Sequence, residues 1–177
     1  AGYYAIAPEP YFRQGDLTKM TNIQDVVKAA NSLADPVMLR DLDALVEWVD
    51  GQGKANGKRI GITGFCRGGR TVWMFTAHSK RIKAAVAWYG QLVGQPNALK
   101  PRNPVDIVGE LHAPVLGLYG EKDTGIPMAD IEEAAIKNYG EYPAGSGKLY
   151  AVPCESDCIG FAYRKDLFED PKNKEAF

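Results

Sequence analysis

Three cysteines in 177 residues are too few for a disulfide scaffold, and the odd count leaves at least one thiol free. Charge of one sign is not in excess either. Lys and Arg number 21 against 22 Asp and Glu, a formal net charge of -1, so the chain offers no basic field for nucleic acid and no polybasic patch for an anionic membrane. No apolar run approaches the roughly 18 to 20 residues of a membrane-spanning helix, and the N-terminus lacks the basic-then-apolar layout of a signal peptide. A cytoplasmic location is the expectation. Histidine is scarce, with only two residues, and there is no internal repeat or low-complexity tract.

What is there reads as a folded α/β chain. With 45% apolar and 24% charged residues, the composition suits one soluble globular domain spanning residues 1–177. Tyr3-Tyr4-Ala5-Ile6-Ala7-Pro8 reads as a buried strand that begins almost at once, so an N-terminally truncated domain is expected. From Asp35, which can cap, with Pro36 suited to the first turn, the residues Met38, Leu42, Leu45 and Val49 fall on one helical face. Gly51 and Gly53 end that helix. Lys58 to Thr63 reads as a strand, the turn 64–69 leads into a helix reaching about Ser79, and Ala84 to Tyr89 is the next strand. Pro114 to Tyr119 is another, followed by a helical stretch from Met128 to Tyr139, a Gly- and Pro-rich loop from Gly140 to Gly147, and a last strand from Lys148 to Val152. Five strands alternating with helices predict a three-layer, doubly wound, mainly parallel sheet. In such sheets the site lies beyond the carboxyl ends of the strands, which singles out Cys66, Tyr89, Gly90 and Asp123.

The segment Gly64-Phe65-Cys66-Arg67-Gly68-Gly69 has the layout of a nucleophile elbow: a sharp strand-to-helix turn with small residues two before and two after the reactive one. Cys66 holds the reactive place. At a helix N-terminus the dipole and unpaired N–H groups favour an anion, and the backbone N–H of Arg67 is a natural oxyanion donor. The plainer alternatives are a tight turn around a structural cysteine or a phosphate-binding glycine loop. Neither the Gly-x-x-x-x-Gly-Lys nor the Gly-x-Gly-x-x-Gly pattern is present. Asp123 closes the turn after the strand expected next but one from the nucleophile strand, where the acid of a nucleophile–acid–histidine triad falls. By itself, an Asp at such a turn is more commonly a turn former.

These residues resemble a known family, the dienelactone hydrolases or carboxymethylenebutenolidases, which have an α/β-hydrolase fold. The resemblance runs from Gly2 to about Pro127. It rests on Tyr3 to Pro8, Tyr11-Phe12-Arg13-Gln14, Ile62 to Gly69, Ala85-Val86-Ala87-Trp88-Tyr89-Gly90 and Pro114 to Gly120. It implies a cysteine nucleophile at Cys66, a triad acid at Asp123, and a small lactone or ester substrate that carries a carboxylate. It also implies that Arg13 binds that carboxylate; Tyr89, just after its strand, is expected to line the substrate site, and no metal or organic cofactor is expected. A guanidinium fork suits a planar anion. A monomer or small homo-oligomer is expected, with no nucleic-acid or membrane partner.

Two departures qualify the resemblance. The family has several dozen residues ahead of the position of Gly2, and it places its histidine in a His-x-Phe segment where this sequence reads Cys158-Ile159-Gly160-Phe161. Neither histidine present replaces it. His78 lies twelve residues beyond Cys66, roughly 18 Å along a helix, and His112 precedes its strand and belongs about 20 Å away at the amino edge of the sheet. Asp157 is a weak substitute base, and Cys154 with Cys158 lacks the further ligands a metal site needs. Two alternatives therefore stand beside a cysteine hydrolase: a non-catalytic relative that binds a small carboxylate, and a general esterase or thioesterase.

Overall fold

The computed structural model describes residues 3–135, with side chains to position 132. The expected strand at Lys148–Val152, the loop Gly140–Gly147 and the segment holding Cys154, Asp157, Cys158 and Ile159 lie outside the described residues, as does the helical stretch beyond Ala135. The chain divides into two compact units, one of residues 1–60 and 95–102, the other of 61–94 and 103 onward.

In the first unit, helix α1 (Ile23–Asn31) is capped by Asn22, whose side chain accepts from the Gln24 N–H. Helix α2 (Asp35–Gly51) follows with Pro36 in its first turn. Asp35 is not its cap. The Ala34 carbonyl already accepts from the Val37 and Met38 amides, so the helix starts one residue early, and the Asp35 N–H donates to the Leu99 carbonyl at 2.9 Å. Short 3-10 turns occupy Phe12–Gln14 and Leu17–Lys19.

Tyr3 to Pro8 is a correction to the sequence reading. The segment is exposed and forms no strand, because a strand exists only through its ladder and these residues have no backbone partner in the described structure. Pro8 and Pro10 further remove two ladder donors.

The second unit holds strands β1 (Ile60–Phe65), β2 (Ile82–Trp88) and β3 (Val115–Leu118), neighbours in the order β1-β2-β3. β2 and β3 pair in parallel with Ala85 opposite Val115 and Trp88 opposite Leu118. The Cys66 N–H, directly after β1, donates to the carbonyl of Trp88 at the end of β2, so these two strands also finish at the same edge. Helix α3 (Arg67–His78) makes the crossover from β1 to β2. A short helix α4 (Pro104–Ile107), closed by a capping box between Asn103 and Asp106, lies on the way to β3, and α5 (Met128–Ala135) follows it.

The core explains why these segments fold together. Val72 and Phe75 from α3, Ile82 from β2, Leu92 and Val115 are all 1% exposed, and Ala87 is fully buried. Each large side chain so enclosed contributes about 1.5–3 kcal/mol. Among the described residues no helix is long and apolar enough to cross a membrane.

Candidate active site

The turn from β1 into α3 is built around one residue with an unusual backbone. Cys66 sits at φ 54°, ψ -115° as the cap residue of α3, is exposed, and forms no disulfide. A non-glycine residue in such a conformation costs about 1–3 kcal/mol and persists only where its surroundings over-determine it. Its N–H donates to the Trp88 carbonyl at 2.9 Å and its carbonyl accepts from the Arg70 amide at 3.1 Å. Arg67, the expected oxyanion donor, is the first residue of the helix.

Only one of the two elbow glycines is required by its own Cβ. A Cβ on Gly64 would stand 2.6 Å from the backbone carbon and oxygen of Gly68, whereas one on Gly68 would meet nothing within 4 Å. Position 68 is thus the wall that Gly64 abuts, and its own side-chain direction is open. A second close approach, not anticipated from sequence, lies behind the turn. A Cβ on Gly69 would come within 2.5 Å of the Trp88 carbonyl, and one on Gly90 within 2.3 Å of the Arg70 nitrogen. The available signal was a glycine directly after a strand facing a Gly-Gly pair at a helix start.

The end of β2 shares the strain. Tyr89 has φ 37°, and its N–H donates to the Leu118 carbonyl at 2.7 Å. Phe65 stacks on Trp88 with centroids 5.3 Å apart and tilts toward Tyr89 at 6.3 Å. All three rings are more than a third exposed, so aromatic surface flanks the residues next to the thiol. Trp88 is held in turn by donating Nε1–H to the Thr63 hydroxyl at 3.1 Å.

Asp123 lies in the turn after β3, half-buried, where its carboxylate accepts from the Gly125 N–H at 2.9 Å and its own N–H donates to the Gly120 carbonyl. Cys66 and Asp123 thus follow strands separated by β2, about 10 Å between strand axes. A triad would need one further group to bridge the two residues. Neither histidine supplies it: His78 ends α3 beside Phe75, and the His112 N–H donates to the Thr76 carbonyl in the last turn of the same helix. Both are at the amino edge, away from Cys66.

Arg13 lies in the first unit. Its Nη1 and Nη2 both donate to the Asp41 carboxylate, the second at 2.8 Å, and the guanidinium carbon stands 4.2 Å from the Phe12 ring centroid. The Arg13 hydrogen bonds hold the Asp41 carboxyl below the usual range, and the same pairing pushes the Arg13 guanidinium up. Two of its five N–H donors are engaged there.

A sequence profile of the dienelactone hydrolase family matches residues 1–142. A protein of Methylorubrum extorquens, provisionally named a carboxymethylenebutenolidase, is 54% identical over 132 residues, which are 74% of this chain and 45% of that protein. The crystal structure of a provisionally assigned dienelactone hydrolase from Klebsiella pneumoniae superposes with a TM-score of 0.68 at 45% identity, covering 72% of this chain and 53% of the other. An acylaminoacyl peptidase from Pyrococcus horikoshii, at 18% identity and a TM-score of 0.50, covers 59% of this chain and 22% of its own, and shares the α/β-hydrolase fold alone. The chain spans about half the length of the relatives it matches.

Proposed function

The chain belongs to the dienelactone hydrolase family, and on that premise we propose that this protein hydrolyses small carboxylate-bearing lactones or esters, with Cys66 as the nucleophile. The observation that carries the reading is the backbone of Cys66. An exposed thiol held at φ 54° on the N-terminal cap of a helix is costly to maintain and serves no packing purpose. The sulfur attacks the carbonyl carbon while the carbonyl oxygen takes the developing charge toward the Arg67 N–H. Breaking the C–O bond leaves a thioester on Cys66, and water then releases the acid. The thiol proton passes to a base and returns to the leaving oxygen. Asp123 would orient that base across the width of two strands, and Tyr89 would line the substrate's side. Arg13 would take the substrate carboxylate, using donors that Asp41 leaves over.

The proposed enzyme is cytoplasmic, a monomer or small homo-oligomer, and works without a cofactor on a small molecule. Incubation of the chain with an activated ester such as p-nitrophenyl acetate should give an intact-mass increment of one acyl group on Cys66. An acyl group found elsewhere, or none formed while ester is consumed, would overturn the nucleophile assignment.

A second reading is favoured by the two histidines at the amino edge and by Ile159 where the resemblance places the base: a relative that binds a carboxylate ligand and does not turn it over. Calorimetric binding of a small carboxylate with no acylation would decide for it. A general esterase, in contrast, would turn over neutral and acidic substrates alike.

A further inference from the structure

Cys66 does not hold its own conformation, and the hydrogen bonds around it close into a ring. Seven residues along α3, Trp73 donates Nε1–H to the Tyr119 hydroxyl at 3.0 Å. That hydroxyl donates in turn to the Gly90 carbonyl at 3.0 Å. Gly90 presses against the backbone of Gly69 and Arg70, and two residues back the Trp88 carbonyl accepts from the Cys66 N–H. The path therefore starts and ends on Cys66, running through α3, the Tyr119 hydroxyl and the end of β2. The fold makes space for it. A Cβ on Gly117 would stand 2.8 Å from the Tyr119 ring and 3.2 Å from the Trp73 ring, so glycine at that β3 position lets the two rings meet.

We propose that Tyr119 is a positioning residue for the nucleophile turn: its hydroxyl ties the end of β2 to α3 and so keeps Cys66 in its strained conformation. Rigid packing alone would seat the helix on the sheet. The hydroxyl does something more specific, since it accepts from a side chain of the helix and donates to the very peptide segment whose neighbouring carbonyl holds the Cys66 amide. Tyr119→Phe keeps the ring and removes that link, leaving the Trp73 donor and the Gly90 acceptor each without this partner. In a connected network such a loss is felt at every member.

The inference rests on Cys66 being the nucleophile, and its test reads the turn separately from turnover. In the full chain, amide hydrogen exchange at Cys66 in Tyr119→Phe should quicken about tenfold or more, the size expected for losing the two part-buried hydrogen bonds of the hydroxyl. The His112 amide and the β2–β3 ladder should keep their wild-type rates. With an activated ester, kcat should fall by a similar factor while KM stays within about twofold. Trp73→Phe should give the same local pattern, and the double variant should be no worse than either single one. Unchanged exchange at Cys66, or exchange quickened uniformly through the unit, would overturn the positioning role. If the exchange result holds but the wild-type chain shows no Cys66-dependent acylation, the turn is positioned as inferred and the hydrolase reading is what fails.

Discussion

The two edges of the sheet in the second unit are made from the same strands and helix, and they differ in how much strain they hold. At the carboxyl edge stand Cys66 and Tyr89, the non-glycine residues with positive φ among those described, together with Gly64, Gly69 and Gly90, each too close to backbone for a Cβ. The amino edge has His78 and His112 in ordinary surroundings, one beside Phe75 and the other bonded through its backbone to α3. Folding alone gives no reason for that asymmetry. Strained backbone is retained where something other than stability selects it, and the contrast supports the proposal that the chemistry is at the carboxyl edge even though the amino edge holds both imidazoles.

The largest effect should come from removing the thiol. Cys66→Ala is expected to abolish hydrolysis of p-nitrophenyl acetate above the spontaneous rate, whereas His78→Ala and His112→Ala should each leave kcat/KM within about twofold, the scale of a surface change. Steady-state kinetics on the three variants compares the two edges directly. A histidine variant as inactive as Cys66→Ala would reverse the contrast.

Next in size is a stability difference among glycines of the turn. Gly90→Ala places a Cβ 2.3 Å from backbone on α3 that cannot yield without moving the helix, so a loss of about 3 kcal/mol or more is expected. Gly68→Ala meets open space at a helical position and should be neutral or gain about 0.5 kcal/mol. Denaturant unfolding of both variants checks this, and equal destabilisation would mean that the strain is not where the backbone contacts place it.

The sequence made the carboxyl edge legible because strand, sharp turn and helix each leave a local signature. Short apolar stretches bounded by turn residues, expected at 58–63 and 84–89 and found at Ile60–Phe65 and Ile82–Trp88, and the glycines on either side of Cys66 are readable one segment at a time. The elbow pattern asks for a small residue at Gly68, where the structure leaves the Cβ direction open, since pairwise spacing does not say which of two glycines needs to lack a Cβ. The partnership of Trp73, Tyr119 and Gly90 joins three segments up to 46 residues apart, and nothing local marks it. Tyr3 to Pro8 shows the opposite error: an apolar, β-branched and aromatic run suits a strand, but pairing is a property of neighbours. Arg13 was legible only by resemblance, and its engagement with Asp41 depends on a contact across 28 residues.

Arg13 tests whether the proposed recognition involves residues other than those around Cys66. If its guanidinium takes the substrate carboxylate, Arg13→Ala should raise KM for an acidic lactone about tenfold or more and leave that for a neutral ester nearly unchanged. Paired Michaelis–Menten measurements on the two substrates read the difference. Equal effects on both would remove Arg13 from the proposed substrate contacts.

The smallest expected effect concerns the same pair and pH. Asp41 is held below the usual carboxylate range by Arg13, so its charged form is favoured more in the folded chain than in the unfolded one. The stabilisation is therefore present above the ordinary carboxylate range and lost as pH falls through the depressed folded value. Solvent screens a pair this exposed, and Asp41→Asn should lower the melting temperature at neutral pH by no more than about one degree. Below that acidic window, wild type and Asp41→Asn should converge, because both then present a neutral group to Arg13. Melting curves from acid to neutral pH would show the convergence; a gap between the two chains that widened toward acid would mean that the carboxylate is not stabilised by its guanidinium partner.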